Sequence, residues 1–172
     1  KSRDLAVVVE GQMDVIACHQ AGMNNVVAAS GTALTVEQVK LLKRYSNNAT
    51  MAFDADSAGQ NAAKRGIDVA MVEGMNIRVV QIPEGAGKDA DECLQKNSTV
   101  WFEAVERAMS VMDWYFKNIL AGVSLSDPRQ KQQVADALLN EILKIPHPVE
   151  RDSWMKKLAD LLNVDLSVLS ET

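Results

Sequence analysis

One stretch decides the fold of this chain: Thr50-Met51-Ala52-Phe53-Asp54-Ala55-Asp56-Ser57-Ala58-Gly59. Its first four residues form an apolar run that predicts a buried strand. Two carboxylates, Asp54 and Asp56, follow at once, and good helix formers then run from Gln60 to Met71. A strand, an acidic turn and a helix in that order are typical of an open α/β sheet, in which chemistry lies at the carboxyl ends of the strands.

The two carboxylates of this turn have two interpretations. Mg²⁺ prefers carboxylate oxygens and keeps waters for substrate phosphates, so Asp54 and Asp56 indicate a site for a hard cation. Asp and Ser are also favoured N-cap residues, so Asp56 or Ser57 is equally suited to capping the helix that follows. The spacing alone leaves both interpretations open.

Three more apolar runs flank this stretch and predict further strands, at Leu5 to Val9, Val26 to Ala29 and Ile77 to Ile82. Helical patterns lie between the strands, at Met13 to Ala21, Thr35 to about Tyr45 and Ala58 to Glu73. Thr35 with Gln38 three residues later is a capping-box pattern, and Gly74 is placed to end the third helix. This alternation predicts a parallel sheet covered by helices on both faces.

The rest of the chain is predicted to be helical. No strand is predicted from Thr99 onward, and helical patterns run roughly from Thr99 to Ala121, Asp127 to Ile145 and Val149 to Leu162. The last residues, Val164 to Thr172, are typical of a connector and the start of another helix. We therefore expect an α/β domain over residues 1–97 and a small all-helical subdomain over residues 98–172.

Composition limits the class of protein. The 172 residues, 47% apolar and 24% charged, are sufficient for one core and a small appendage. No apolar run approaches the roughly 20 residues that cross a bilayer, so no membrane partner is expected. The start at Lys1 has neither an initiator Met nor a signal peptide, which indicates a piece of a longer protein.

Cysteine content and net charge limit the compartment and the partners that we expect. Cys18 and Cys93 have no Cys or His partner at metal-ligand spacing, so we expect reduced, partly buried thiols in a cytoplasmic protein. A net charge of −5 is unfavourable for a general nucleic-acid-binding surface. It leaves open an enzyme whose basic surface lies on another segment.

Acidic residues recur after three of the predicted strands: Glu10 after the first, Asp54 and Asp56 after the third, and Asp89 and Asp91 after the fourth. If these strands are neighbours, the five carboxylates converge and raise one another's pKa values. One or two divalent cations would relieve that repulsion and leave positions open for phosphate oxygens. The pattern therefore predicts a Mg²⁺ or Mn²⁺ site.

Four motifs together resemble a Toprim domain, and in detail the catalytic core of the bacterial DnaG-type primases. They are Val9-Glu10-Gly11-Gln12-Met13-Asp14, Ala28-Ala29-Ser30-Gly31-Thr32-Ala33-Leu34-Thr35, Phe53-Asp54-Ala55-Asp56-Ser57-Ala58-Gly59 and Lys88-Asp89-Ala90-Asp91-Glu92. Toprim topoisomerases, recombination proteins and nucleases share the first and third motifs. The second motif and the helix that follows it are similar to the primases specifically.

The resemblance implies roles for particular residues. Glu10, Asp54 and Asp56 would be catalytic and bind one to three Mg²⁺ or Mn²⁺ ions. Three more carboxylates would assist at the same metal site: Asp14, Asp89 and Asp91. Three residues are candidates for contacting the substrate: Lys88, Gly31 and Thr32. Gly31 and Thr32 are equally suited to a simple strand-to-helix turn.

The resemblance also implies a function and partners. The chain would be the metal-binding catalytic part of a DNA primase, a DNA-templated RNA polymerase that makes short RNA primers for DNA replication. Its partners would be single-stranded DNA, ribonucleoside triphosphates and, through a region outside this chain, the replicative helicase of the primosome. Zinc would bind only in a domain outside this chain, and the isolated chain would have little or no activity.

Two other functions remain compatible with the residues. A Toprim-type nuclease would use the same acids to activate water, and a non-catalytic interaction module would use them to hold a structural metal.

Other conspicuous residues have ordinary explanations. Lys64 and Arg65 fit a solvated helix face, and His147 between two prolines fits a loop. Four aromatic residues fit a helical core: Trp101, Trp114, Tyr115 and Phe116.

Overall fold

A computed structural model describes residues 4–30, 33–52 and 57–170, without the side chains of residues 57–63 and 170. Contacts divide the chain into two compact units, residues 1–111 and 112–172. The strands of the first unit are β1 (Ala6–Val9), β2 (Val26–Ala28), β3 (Asn48–Ala52), β4 (Asn76–Val79) and β5 (Met109–Ser110). Its helices are α1 (Gln12–Gln20), α2 (Val36–Lys43), α3 (Ser57–Val72) and α4 (Ala90–Glu106).

The five strands form one mixed sheet in the order β2-β1-β3-β4-β5. The first four are parallel, as predicted, and β5 pairs antiparallel with β4 at the edge. In the centre of the sheet, Val9 of β1 is in register with Ala28 of β2 and with Ala52 of β3. The predicted α/β fold is therefore confirmed. The three strands that acidic residues follow in the sequence, β1, β3 and β4, are consecutive neighbours in the sheet.

Burial on both faces explains why β1 is a continuous apolar run. Val7, Val8 and Val9 are all fully buried, and successive side chains of a strand point to opposite faces. Val7 and Val9 belong to a cluster that contains Cys18 of α1 and Trp101 of α4. Helices α2 and α3 contact each other, and α3 contacts β4. Packing of this kind requires apolar side chains at every position of the central strand.

Local capping explains where two helices of this unit begin and end. Thr35 Oγ1 accepts from the Gln38 amide at 3.3 Å, and Gln38 Oε1 accepts from the Thr35 amide at 2.9 Å. These two bonds confirm the predicted capping box at the start of α2. Gly74 follows α3 with φ of 74°, a left-handed conformation that glycine adopts at little cost.

The region from residue 90 to 121 differs from the predicted one. The acidic stretch after β4 forms the N-cap and first turn of α4, which was not predicted, and a long helix from Thr99 to Ala121 does not form. The chain instead leaves α4 after Glu106 and forms β5, so the expectation of no strand after Thr99 is wrong. A two-residue strand has no alternating pattern by which a sequence reveals it.

The predicted domain boundary after residue 97 falls at a kink within α4. Asn97 has non-helical backbone angles (φ −160°, ψ 104°), and its Oδ1 accepts from the Thr99 amide at 3.0 Å. Asn97 therefore caps a new helical segment, which is why a helical pattern begins again at Thr99. Trp101, Ala104 and Val105 of this segment belong to the cluster that packs on β1, so the contact-based boundary lies later, after Val111.

The second unit is helical, as predicted. Its helices are α5 (Val111–Leu120), α6 (Pro128–Ile142), α7 (Pro148–Leu162) and α8 (Leu166–Ser170). Asp127 caps α6, and Pro128 occupies its first turn, where no amide hydrogen is needed. Tyr115 and Phe116 are buried and Trp114 is half-buried. Within the described residues, we find no helix with the length and apolarity of a membrane span.

Candidate metal centre

Glu10 lies where β1 ends in the middle of the sheet. It follows Val9 directly, and Val9 is in register with Ala52, the last residue of β3. On its other side, the Glu10 carbonyl accepts from the Ser30 amide at 3.0 Å, which extends the β1–β2 pairing by one residue. Ser30 has φ of 60°, an uncommon left-handed conformation for a residue with a side chain. Glu10 is thus fixed at the carboxyl edge of the sheet between the ends of β2 and β3.

The side chain of Glu10 contains a polar atom that the described residues leave unsatisfied. Its Oε2 is buried from solvent, and no hydrogen-bond donor among the described residues reaches it. A buried polar atom without a partner costs about 1–3 kcal/mol, and more when the group is charged. Such an atom at a strand end is compatible with a cation ligand, because a cation would supply the missing partner.

Asp14 lies in the first turn of α1 and is only 7% exposed. Its Oδ2 accepts from the Gly11 amide at 3.0 Å, and its Oδ1 accepts from the Asp91 amide at 3.0 Å. Burial raises the pKa of Asp14 above its usual value, and the charges of Asp89 and Asp91 raise it further. The two backbone hydrogen bonds oppose that rise. Both oxygens therefore already have partners, in contrast to Oε2 of Glu10.

Asp89 and Asp91 belong to the start of α4. Asp89 is its N-cap, and Oδ1 accepts from the Glu92 amide at 2.8 Å. Oδ1 of Asp91 accepts from the Gln95 side chain at 2.9 Å. The Asp91 amide donates to Asp14, so the acidic start of α4 lies next to the first turn of α1, which follows the end of β1. The structure thus brings together the Glu10 loop, Asp14 and the acidic turn of α4.

Lys88 precedes these acidic residues, and its side chain contacts Asp89 and Glu92. Its Nζ is 3.4 Å from Glu92 Oε1 and 3.9 Å from Asp89 Oδ2, and its side chain is 65% exposed. The Lys88 amide donates to Glu92 Oε2 at 3.3 Å, and this bond is the main reason that the pKa of Glu92 is lowered. The ammonium group of Lys88, on this exposed turn, can contact either these carboxylates or the phosphate of a ligand.

Four of the predicted site residues lie outside the described part of the chain: Gly31, Thr32, Asp54 and Asp56. Within the described part, no group of three or more His, Cys, Asp or Glu side chains is arranged to hold a metal ion. Glu10, Asp14, Asp89 and Asp91 thus do not form a complete ligand set by themselves.

The hydrogen bonds that Asp14 makes were not predicted from the sequence. Gly11 and Asp14 have the N-cap to N3 spacing of a capping box, which was a recognisable signal for the bond to Gly11. The bond to Asp91 spans 77 residues, and no local pattern predicts it.

Two family models match the chain. Residues 7–94 match a model described as Toprim-like, and residues 112–167 match one described as the DnaB-helicase binding domain of primase. The first match covers the four parallel strands β1 to β4, apart from the first residue of β1, and the candidate acidic residues. The second match lies within the helical unit. The chain belongs to the Toprim-like family.

Relatives and solved structures narrow this assignment. A DNA primase of Clostridium acetobutylicum is 43% identical over 159 residues, which are 91% of this chain and 26% of that protein. A DnaG primase catalytic domain solved with single-stranded DNA is 32% identical, with a TM-score of 0.81 over 96% of this chain and 53% of that chain. A primase domain from Pseudomonas aeruginosa is 26% identical, with a TM-score of 0.85 over 98% of this chain and 54% of that chain.

These similarities give a specific assignment: the chain is a segment of a DnaG-type DNA primase. It spans about a quarter of the length of the curated relatives it matches, 26% and 24% for the first two. The predicted resemblance to this family is therefore confirmed. One expectation changes, because the helicase-contacting region was placed outside this chain, whereas a model of that description matches residues 112–167.

Proposed function

We propose that this chain carries the metal-dependent centre with which a DNA primase joins ribonucleotides into short RNA primers on a single-stranded DNA template. The observation that carries the proposal is Oε2 of Glu10, which is buried at the carboxyl edge of the sheet and has no hydrogen-bond partner among the described residues. It lies beside the end of β3, after which Asp54 and Asp56 follow in the sequence. Primase relatives over nearly the whole chain support the same activity.

Glu10, Asp54 and Asp56 would hold Mg²⁺ or Mn²⁺. All three offer the carboxylate oxygens that these ions prefer, and Oε2 of Glu10 fits a cation because it has no donor among the described residues. When bound, such ions stabilise the charge that develops on the triphosphate and increase the acidity of an attacking hydroxyl. No side chain of this chain is required as a covalent nucleophile.

The protein residues around this site would orient and neutralise. The bond between the Glu10 carbonyl and the Ser30 amide fixes the backbone that carries the carboxylate. Lys88, 65% exposed, is available to exchange its contacts with Asp89 and Glu92 for a nucleotide phosphate. Gly31 and Thr32, which follow Ser30 in the sequence, are also proposed to contact the substrate.

The template is proposed to be single-stranded DNA, since a structural neighbour 32% identical to this chain was solved with that ligand. The net charge of −5 predicts that this chain alone binds DNA weakly, because phosphate neutralisation dominates such affinity. Primer synthesis is accordingly proposed for the longer primase rather than for this segment by itself.

Mn²⁺ titration tests the metal site. We expect Glu10→Gln and Asp54→Ala each to weaken Mn²⁺ binding by at least about tenfold, the effect of disturbing a metal's ligand shell. Asp160→Asn is the matched control, since it removes an exposed carboxylate from α7 in the other unit. Equal affinity of wild type and the two site variants, measured calorimetrically, would contradict the proposal.

The reaction type is tested in the longer primase. Asp54→Ala there should abolish primer synthesis while DNA binding persists, because the carboxylate serves the chemical step and not the template contacts. Metal-dependent DNA cleavage without primer synthesis would instead indicate the nuclease alternative. Primer synthesis that survives Asp54→Ala would refute the metal mechanism.

We also propose that residues 112–167 contact the replicative helicase. The family model that these residues match is described as a helicase-binding domain of primase. Exposed apolar side chains flank the turn between α6 and α7, with Leu143 60% and Val149 80% exposed. Exposed apolar side chains on the surface of a small helical unit are suited to contact with a protein partner.

A further inference from the structure

Asp14 joins two parts of the first unit that are far apart in sequence. One carboxylate oxygen accepts from Gly11, in the loop after β1, and the other accepts from Asp91, in the first turn of α4. Both bonds are 3.0 Å long. The loop after β1 carries Glu10, and the first turn of α4 carries Asp89 and Asp91. A single side chain therefore connects the two acidic segments of the candidate metal centre.

The surroundings of Asp14 explain why a buried carboxylate is tolerated there. The N-terminal turns of α1 and α4 supply its two hydrogen-bond donors, and the amide groups at a helix N-terminus favour a negative charge. Helix α1 has nine residues, and α4 begins with residues 90–96 before its kink at Asn97, so the first turn of each helix directs backbone amides towards the carboxylate. With 7% exposure, the carboxylate depends on these amides rather than on water.

We propose that Asp14 is a positioning residue that sets the separation between Glu10 and the acidic turn of α4, and is not itself a metal ligand. This inference deepens the proposed function and rests on it, since the separation matters only if a metal ion binds at Glu10. It differs from the role that the family resemblance implies, in which Asp14 assists at the metal.

The carboxylates of Asp14 and Glu10 differ in their hydrogen-bond partners. Each oxygen of Asp14 is engaged by a backbone amide, whereas Oε2 of Glu10 has no donor among the described residues. If Asp14 turned towards a metal ion, it would leave the amides of Gly11 and Asp91 without an acceptor. Buried unpaired amides are costly, so the arrangement favours Asp14 remaining where it is.

Amide hydrogen exchange without metal tests the connection itself. Asp14→Asn keeps the shape of the side chain but replaces one acceptor oxygen by an NH₂ group, so it can satisfy only one of the two amides. We expect exchange at Gly11 or Asp91 to accelerate at least about tenfold, as for the loss of one hydrogen bond to a charged group. Val8 in β1 should change little, and Glu10→Gln should leave the Asp91 amide unchanged.

Bound Mn²⁺ then reports the separation through paramagnetic broadening of NMR signals. In wild type, an ion at Glu10 should broaden the signals of both Glu10 and Asp91. In Asp14→Asn, broadening at Glu10 should persist while broadening at Asp91 decreases, a change that a general loss of stability would not produce. Wild type supplies a measurement that needs no variant to fold: the Gly11 and Asp91 amides should stay protected at saturating Mg²⁺.

Three results would overturn the inference. Unchanged exchange at both amides in Asp14→Asn would mean that the carboxylate does not hold these segments together. Equal broadening of Asp91 in wild type and variant would mean that it does not set their separation. Loss of protection of both amides when Mg²⁺ binds to wild type would make Asp14 a ligand. If Mn²⁺ broadens nothing near Glu10 in wild type, the proposed metal site fails, and the exchange result alone decides whether Asp14 joins the segments.

Discussion

Gly87 allows the loop after β4 to approach the first turn of α4. Its φ is 145°, and a Cβ added there would lie 2.7 Å from the Cys93 amide nitrogen and 3.0 Å from the carbonyl carbon of Glu92. Both neighbouring atoms are backbone, so they cannot move aside as a flexible side chain would. The close approach brings Lys88 and Asp89 to the candidate site, so this one residue affects both the stability and the position of the acidic turn.

We predict that Gly87→Ala lowers the free energy of unfolding by about 1–3 kcal/mol or more, because it adds a steric clash to an unfavourable backbone conformation. Gly85→Ala is the matched control, since φ is 80° there but a Cβ would meet nothing within 4 Å. Urea denaturation of both variants measures the difference. A loss for Gly85→Ala as large as that for Gly87→Ala would show that the close approach contributes nothing.

The start of α6 illustrates how a helix boundary is encoded by a few residues. Asp127 Oδ1 accepts from the Arg129 amide at 2.9 Å, and Oδ2 accepts from the Gln130 side chain at 3.3 Å. We predict that Asp127→Ala lowers the free energy of unfolding by about 1 kcal/mol, the usual cost of losing an N-cap.

Asp136→Ala is the control, because it removes the same charge from the exposed face of α6, where the side chain accepts a hydrogen bond from Gln132 and caps no helix. Thermal denaturation should show the larger decrease for Asp127→Ala. Equal decreases would mean that loss of negative charge, rather than loss of the cap, determines the effect.

Elements with a local signal were predictable from the sequence. Strands β1 and β2 are apolar runs, β3 and β4 each overlap a predicted strand, and α2 and α6 begin at recognisable caps. The start of α4 was missed because Asp89 and Asp91 were interpreted as site residues, although Asp89 is also an N-cap. Strand β5 was missed because its pairing with β4 depends on the returning chain and not on its own two residues.

The candidate site also has one part that was predictable from the sequence and another that was not. The position of Glu10 followed from the end of an apolar run, since the carboxyl ends of parallel strands meet at one edge of a sheet. The bond from Asp14 to Asp91 depends on how α1 and α4 pack together, which a single sequence does not specify. Tertiary packing therefore determined what local patterns left open.

For the molecule as a whole, the two units are proposed to serve different partners. We predict that Leu143→Asp combined with Val149→Asp weakens binding of the replicative helicase by about tenfold or more, because a few central apolar residues usually dominate an interface. Tyr45→Asp is the control, since Tyr45 is 70% exposed but belongs to the α/β unit.

Binding of purified helicase to each variant, measured by interferometry, checks this prediction. Circular dichroism should show that the variants remain folded, as expected for exposed positions. If the Tyr45 variant loses as much affinity as the double variant, the helical unit is not the specific contact.

The two buried thiols have a practical consequence. Cys18 and Cys93 are fully buried in one cluster of the α/β unit, and the helical unit contains no cysteine. Burial, with the nearby charge of Asp14, raises the pKa of Cys18 to about 12, and burial also raises the pKa of Cys93. Since only an accessible thiolate reacts, alkylation of either thiol requires the α/β unit to open. The rate of thiol alkylation therefore reports the opening of the α/β unit and not that of the helical unit.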